Sequence, residues 1–156
     1  MHLGIIPARF ASTRFPGKPL TDIAGKSMIR RVYEQACQAK SLDKVVVATD
    51  DERIFEHVES FGGAVIRTRA DHPSGTDRCA EVARHFPGAQ LILNIQGDEP
   101  FIQPEQIDLL TETLLRQSRF TIATLAKKID DPALLQNPNV VKVVFSEKQG
   151  ALYFSR

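Results

Sequence analysis

The sequence has few cysteines and almost no excess charge, and each of these shortages excludes a class of protein. The only cysteines among 156 residues, Cys37 and Cys79, lie at apolar positions of predicted helices. This placement favours reduced core residues in a reducing compartment over a disulfide framework. The net charge of +1 provides no general attraction to nucleic acid or to an anionic membrane.

Long apolar runs are also missing. No stretch approaches the ~20 apolar residues of a membrane span. The N-terminus lacks the charged region and the apolar length of a signal peptide. The sequence therefore predicts a cytoplasmic protein that binds neither membrane nor nucleic acid.

Several common ligand-binding motifs are absent as well. There is no G-x-G-x-x-G fingerprint of a dinucleotide redox fold, and no Ser-His-Asp or Cys-His arrangement is visible. Gly25, Lys26 and Ser27 resemble the end of a Walker A phosphate loop, but the first glycine of that motif would fall on Leu20. Lys26 is therefore interpreted as a surface residue. His72 has no cysteine or histidine at metal-ligand spacing, which argues against zinc.

Predicted strands and helices alternate along the chain. Such alternation favours a parallel sheet covered on both faces by helices, here as one domain over residues 1–156. The predicted strands are Leu3–Ala8, Val45–Ala48, Ala64–Arg67, Gln90–Ile95, Thr121–Ile129, Val140–Phe145 and one that begins at Ala151. The predicted helices are Ser27–Lys40, one from a cap at Thr49 to Phe61, Ser74–Phe86, and one that Gln103 caps.

Cap signals mark several helix ends. Asp50 and Asp51 are interpreted as residues that the dipole at a helix terminus favours. The other predicted caps are the pairs Thr49–Glu52 and Ser74–Asp77 at helix starts, and the glycines at 62 and 63 at a helix end.

The loop after the first strand is the most informative segment. It carries three cations, Arg9, Arg14 and Lys18, at the strand end where open α/β sheets bind ligands. Arginine forks match phosphate oxygens and lysine adds a mobile point charge. We interpret the loop as a phosphate-binding segment; the alternative is a solvated basic loop. Small residues that let the backbone approach a ligand are Ala11, Ser12 and Gly17.

Two later loops follow predicted strands in the same way. The segment Arg69–Arg78 contains a Ser-Gly-Thr helix start, whose free N–H groups suit an anion or a polar base edge; simple capping is the alternative. The segment QGDEP places Asp98 where a carboxylate can hold Mg²⁺, and Gly97 leaves room around it. Glu99 is interpreted as fixing the loop, and turn formation is the alternative role for Asp98.

Five parts of the sequence stand out in order: IIPARFASTRFPGKPL, VVVATDDERI, TRADHPSGTDR, NIQGDEPFI and NPNVVKVV with ALYFSR. Together they resemble the CMP-Kdo synthetases, the 3-deoxy-manno-octulosonate cytidylyltransferase family. The related acylneuraminate cytidylyltransferases carry a different first loop, and the sugar-nucleotide guanylyltransferases have two glycines after the first strand that this chain lacks. The Asp-x-Asp motif of nucleotide-sugar glycosyltransferases is also missing, since Gly97-Asp98-Glu99 stands there.

The resemblance implies a Rossmann-like three-layer nucleotidyltransferase fold and cytidylyl transfer from CTP to Kdo with Mg²⁺. The products would be pyrophosphate and CMP-Kdo for lipopolysaccharide synthesis in the bacterial cytoplasm, made by a homodimer. The matching motifs imply that Arg9, Arg14 and Lys18 would hold the triphosphate of CTP. Arg14 and Lys18 would also stabilise the pyrophosphate leaving group, and Asp98 would bind the metal ion. Other substrate-binding residues are Ser12 in the first loop, the Ala8 backbone, Arg69, Ser74 and Gly75 at the cytosine end, and Gln96 near the ribose and sugar.

Members of this family continue well beyond position 156. The additional residues carry much of the Kdo pocket, a second metal-binding aspartate and most dimer contacts, so residues 1–156 alone are expected to be inactive. Two alternative functions stay open: cytidylyl transfer to another 2-keto sugar acid, and a non-catalytic nucleotide-binding module.

Overall fold

The computed structural model describes residues 1–11, 15–117, 119–148 and 150–156. They form two compact units, Met1–Ile122 and Ala123–Arg156. The first unit contains β1 (His2–Ala8), β2 (Asp22–Ile23), β3 (Lys26–Ser27), α1 (Met28–Ala36), β4 (Lys44–Thr49), α2 (Glu52–Ser60), β5 (Val65–Arg67), α3 (Gly75–Ala83), β6 (Leu91–Asn94) and α4 (Pro104–Arg116). The second unit contains β7 (Lys142–Phe145) and β8 (Ala151–Ser155). None of the helices in these ranges has the length and apolar character needed to cross a lipid bilayer.

Four parallel strands form the central sheet of the first unit, in the order β5-β4-β1-β6. β1 pairs with β4 as far as its last residue, Ala8, whereas its pairing with β6 covers only His2 to Ile5. Counted along the chain, the order is third, second, first, fourth, so the direction of strand addition reverses between β1 and β6. Open α/β sheets bind their ligands at such a reversal, outside the carboxyl ends of the strands.

Both faces of the sheet are apolar, because alternate residues of β1 and β4 point to opposite faces. Ile6 and Val47 pack with α1, α2 and α4 on one face, whereas Ile5 and Val46 pack with α3 on the other. This three-layer arrangement confirms the predicted fold class. Among the described residues, the first core cluster contains 12 buried residues and the α3 cluster contains six.

Two predicted caps are confirmed. Ser74 caps α3 by accepting a hydrogen bond from the N–H of Asp77 at 3.1 Å. At the end of α2, the N–H groups of Gly62 and Gly63 return to helix carbonyls at 2.9 Å. Gly62 has a φ of 78°, a conformation that glycine adopts without steric cost.

The predicted Thr49 cap of α2 is wrong. Thr49 is the last residue of β4, and Asp51 caps the helix by accepting from the N–H of Arg53 at 3.1 Å. An N-cap directly precedes the first helical residue, and two residues separate Thr49 from the helix start at Glu52. The Arg53 guanidinium also holds the pKa of Asp51 below its usual range.

The prediction of two core cysteines is only half right. α1 ends at Ala36, before the predicted Lys40, so Cys37 is its C-cap and is exposed. Cys79 is buried on α3. Burial raises the pKa of the Cys79 thiol to about 11, which leaves it almost fully protonated and unreactive at neutral pH.

The second unit is built on the antiparallel pair β7 and β8. The predicted strand Thr121–Ile129 is wrong, since these residues have no regular structure. A strand requires a partner for its backbone groups, and no described strand pairs with this segment. Ile122 is 84% exposed, so the apolar pattern here does not reflect burial.

Candidate active site

The loops that leave β1 and β6 meet where the strand order reverses. Lys18 on the first loop and Asp98 on the second form an ion pair, with Nζ 2.6 Å from Oδ2. The side chains are 37% and 53% exposed, so the pair contributes at most about 1 kcal/mol to stability. Because both side chains are accessible and the ion pair is weak, Lys18 can exchange Asp98 for a phosphate, and Asp98 can exchange Lys18 for a metal ion.

The position of Asp98 depends on the close approach of Gly97 to β1. A Cβ on Gly97 would lie 2.9 Å from the carbonyl oxygen of Pro7. Pro7 is tolerated in a central strand because it follows the part of β1 that pairs with β6. Ile5 accepts a hydrogen bond from the chain after β6, and Pro7, two residues later, faces the same side, so its missing N–H removes no ladder bond.

Replacing Gly97 with alanine is expected to lower the free energy of unfolding by about 1–3 kcal/mol, because the added methyl group must displace a backbone carbonyl. Gly88→Ala is the matched control, since a Cβ there meets nothing within 4 Å. The control is expected to change stability by no more than about 0.5 kcal/mol. Urea unfolding measures both, and equal stability of the two variants would contradict the close-approach argument.

A second contact joins the first loop to the segment before α3. Arg9 donates a hydrogen bond from Nη2 to the backbone carbonyl of His72, with 2.6 Å between the atoms. Gly75, the first residue of α3, packs on Pro7, where a Cβ would lie 3.2 Å from the ring. The N-terminus of α3, with its free N–H groups, therefore lies beside the end of β1.

Glu81 holds this segment from the helix side. Its carboxylate pairs with Nε2 of His72, and the same oxygen accepts the backbone N–H of Arg69 at 3.1 Å. The side chain of His72 is 7% exposed and that of Glu81 is 20% exposed. The hydrogen bond from His72 is the main reason why the pKa of Glu81 lies below its usual range.

The base of the first loop is anchored to α2. The Arg53 guanidinium stacks on the ring of Phe10 at 3.3 Å from the ring centroid. Asp51 binds the same guanidinium through contacts of 3.0 and 2.6 Å. The N–H of Gly17 donates to the Phe10 carbonyl at 2.9 Å. These contacts fix the chain just before Lys18.

Arg78 is fully buried, which the sequence did not lead us to predict. Its Nη1 lies 2.8 Å from Asp50 and also bonds to Thr68, so it ties α3 to the ends of β4 and β5. Burial lowers the pKa of the guanidinium, and the Asp50 carboxylate opposes this effect. Its Nε and Nη2 have no hydrogen-bond partner among the described residues.

The Arg78 contacts correct the interpretation of Asp50 as a residue of the helix terminus. Asp50 instead balances a buried charge. A signal was present, since Arg78 lies four residues before Val82 and so shares its buried face of α3. A charge on that face requires a partner.

The remaining predicted site residues are placed as follows. Ser12 and Arg14 lie outside the described residues. Ala8 is buried at the end of β1. The side chain of Gln96 donates a hydrogen bond to Asn94, the last residue of β6, and Arg69 pairs with Asp71 of its own loop. The structure thus joins the first loop to Asp98 and to the segment before α3, and the substrate roles of these residues stay predictions.

Asp98 is suited to be one ligand of a magnesium ion whose other ligands are waters and substrate phosphates. Mg²⁺ prefers oxygen, keeps several waters, and is bound through one or two carboxylates together with substrate phosphates. Within the described ranges, no group of three or more His, Cys, Asp or Glu could hold a metal. A single exposed carboxylate beside basic side chains matches the phosphate-assisted mode of binding.

Comparison with known proteins identifies the family. The model of the cytidylyltransferase family matches residues 3–156. The chain belongs to the cytidylyltransferase family. Two relatives called 3-deoxy-manno-octulosonate cytidylyltransferase, from Syntrophobacter fumaroxidans and Solibacter usitatus, are each 53% identical to it over 99% of this chain. The chain spans 62% and 61% of their respective lengths.

A solved structure agrees with this assignment. The structure of CMP:2-keto-3-deoxy-manno-octonic acid synthetase complexed with CTP matches with a TM-score of 0.94 and 46% identity. The match covers 99% of this chain and 64% of the other. The nucleotidyltransferase fold implied by the resemblance is therefore confirmed.

Proposed function

We propose that the complete protein containing these residues transfers the cytidylyl group of CTP to Kdo, 3-deoxy-D-manno-octulosonate, and releases CMP-Kdo and pyrophosphate. The Lys18–Asp98 ion pair across the strand-order reversal carries the proposal. It unites a cation suited to phosphate with a carboxylate suited to magnesium. The names of the relatives and the CTP complex of the structural neighbour support CTP and Kdo as substrates.

The proposed reaction is an in-line displacement. The oxygen of the anomeric hydroxyl of Kdo forms a bond to the α-phosphorus of CTP, its proton passes to water, and the bond from the α-phosphorus to pyrophosphate breaks. Arg9, Arg14 and Lys18 hold the triphosphate, and the latter two stabilise the negative charge that grows on the leaving group. Such transfers depend mainly on positioning and charge stabilisation, so no covalent intermediate on the protein is needed.

The other predicted residues would orient the nucleoside and the sugar. The N-terminus of α3, which packs against Pro7, is suited to polar groups of a base, because the first N–H groups of a helix have no partner within the helix. The proposed contacts are Ser12 in the triphosphate loop, the Ala8 backbone, Arg69, Ser74 and Gly75 at the cytosine, and Gln96 near the ribose and sugar.

Asp98 is proposed to hold Mg²⁺. Its carboxylate is half-exposed beside Lys18, so Asp98 can exchange the Lys18 ammonium group for Mg²⁺ when CTP binds. Lys18 is then free to bind the phosphates. The bound ion would supply Lewis-acid polarisation of the phosphate oxygens.

The complete protein is further proposed to be a cytoplasmic homodimer whose product serves lipopolysaccharide synthesis. CTP and Kdo are both small charged molecules, which are available to the enzyme in an aqueous compartment. The exposed Cys37 is a free thiol, which suits reducing conditions.

Pyrophosphate release tests the proposed function. The complete protein, mixed with CTP, Kdo and Mg²⁺, is expected to form CMP-Kdo and pyrophosphate in equal amounts. Absence of release would contradict the proposal, and calorimetric CTP binding without release would favour the non-catalytic module. Faster turnover with neuraminate than with Kdo would indicate another 2-keto sugar acid as acceptor.

A further inference from the structure

One carboxylate in the last turn of α3 connects both loops that are proposed to hold CTP. Glu81 pairs with the His72 ring and accepts the N–H of Arg69, which fixes the segment 69–74 at two points. The backbone carbonyl of His72 in turn accepts the hydrogen bond from Arg9 at 2.6 Å. Two hydrogen bonds, joined through the covalent bonds of His72, therefore form a path that connects α3 to the first loop.

We propose that Glu81 is a positioning residue for the nucleotide. Through His72, it holds the carbonyl that orients Arg9, and through the N–H of Arg69 it holds the segment proposed to contact the cytosine. Glu81 does not touch the substrate in this scheme. The inference rests on the proposed function, because it assigns the two loops to the two ends of CTP.

The burial of the His72–Glu81 pair explains why loss of this pair is expected to weaken CTP binding. The side chains of His72 and Glu81 are 7% and 20% exposed, so water replaces their hydrogen bond poorly. Hydrogen bonds to a charged group are stronger than neutral ones, and an unpaired buried group carries a desolvation penalty. Glu81 lies within a regular helix, which gives it a more fixed position than the loop it holds.

One guanidinium nitrogen of Arg9 is committed to the carbonyl of His72. An arginine has five N–H donors in a planar fork, so one such bond orients the plane and leaves donors for phosphate oxygens. Without Glu81, the carbonyl and the segment 69–74 would lose their support together. Affinity for CTP is therefore expected to fall, with little change in the chemical step.

Glu81→Ala in the complete protein is expected to raise the KM for CTP about tenfold or more, which is the size of effect that loss of a buried charge-assisted hydrogen bond produces. The kcat at saturating CTP is expected to stay within about threefold of wild type. Glu81→Gln keeps an acceptor oxygen at the same position and is expected to restore most of the affinity. Thermal unfolding of each variant measures any loss of stability.

The pattern of losses separates positioning from a merely structural role. A purely structural role predicts a lower melting temperature and a smaller active fraction, with an unchanged KM for CTP, and that result would overturn the inference. If Glu81→Ala fails to fold, His72→Ala, which removes the ring that pairs with Glu81, is expected to raise the KM for CTP in the same way, with Glu81→Gln as the conservative comparison. A KM within about twofold of wild type in Glu81→Ala would also overturn it.

A double substitution tests the path itself. If Glu81 acts through His72, adding Glu81→Ala to His72→Ala should cost less CTP affinity than it costs in the wild-type background. Fully additive losses would contradict the path. Glu112→Ala is the control, since Glu112 pairs with Arg116 at 3.1 Å on the exposed face of α4 and is expected to leave the KM unchanged.

Calorimetric titration with CTP keeps this inference separate from the proposed function. If wild-type protein binds CTP but releases no pyrophosphate, the proposed reaction fails while the binding losses still test Glu81. If the reaction proceeds and Glu81→Ala binds CTP as wild type does, only the inference fails.

Discussion

Substitution of Asp98 by alanine in the complete protein is expected to reduce kcat by more than tenfold, a barrier increase of at least about 1.4 kcal/mol. The carboxylate is proposed to hold the ion that neutralises phosphate charge in the transition state. Its contact with Lys18 is exposed, so its loss should leave the fold intact. Steady-state pyrophosphate release measures kcat, and circular dichroism with thermal unfolding measures the fold.

Asp43→Ala provides the comparison for Asp98. Asp43 is also an exposed aspartate, and it accepts the N–H of His2 at the start of the sheet, away from the carboxyl edge of the strands. It is expected to leave kcat unchanged. Retention of more than about a tenth of wild-type kcat by Asp98→Ala would reject the metal-binding role.

Lys18→Ala is expected to weaken CTP binding about tenfold or more and CMP binding by less than about threefold. The reason is that Lys18 is proposed to contact the β- and γ-phosphates, which CMP lacks, and a hydrogen bond to a charged group contributes about 1.5–3 kcal/mol. Titration calorimetry with each nucleotide measures the two affinities.

Lys26→Ala is a close control for Lys18, because Lys26 also forms a 2.6 Å ion pair with a carboxylate, that of Glu34, and is 42% exposed. It should affect neither nucleotide. Equal losses of CTP and CMP affinity in Lys18→Ala would move Lys18 away from the β- and γ-phosphates. An unchanged CTP affinity would remove it from the triphosphate site.

The central sheet could be predicted from the sequence because strands buried on both faces are continuous apolar runs. β1 and β4 are examples. β6 was predicted from its apolar residues too, although its Ile92 is 41% exposed. The observed bounds of these strands differ from the predicted ones by one residue at an end. The segment Thr121–Ile129 has a similar apolar content but no regular structure. Composition cannot reveal whether a second strand is present to accept its backbone hydrogen bonds.

The candidate site was predictable to the extent that topology determines it. Lys18 and Asp98 follow neighbouring parallel strands, and the carboxyl ends of such strands share one edge. The pairs Arg78–Asp50 and His72–Glu81 were not predicted. Their partners are brought together by the packing of α3 on the sheet, and no spacing along the chain encodes that contact.

The unequal size of the two core clusters has a consequence for fluctuations of the fold. Among the residues that the structure describes, six are buried in the cluster on the α3 face, against 12 in the cluster on the face covered by α1, α2 and α4. Local opening costs less free energy where less apolar area becomes exposed. Detachment of α3 from the sheet therefore requires less free energy than detachment of α1, α2 and α4. A ligand that binds only the closed form would suppress this opening, so nucleotide bound at the N-terminus of α3 would make the whole α3 layer more rigid.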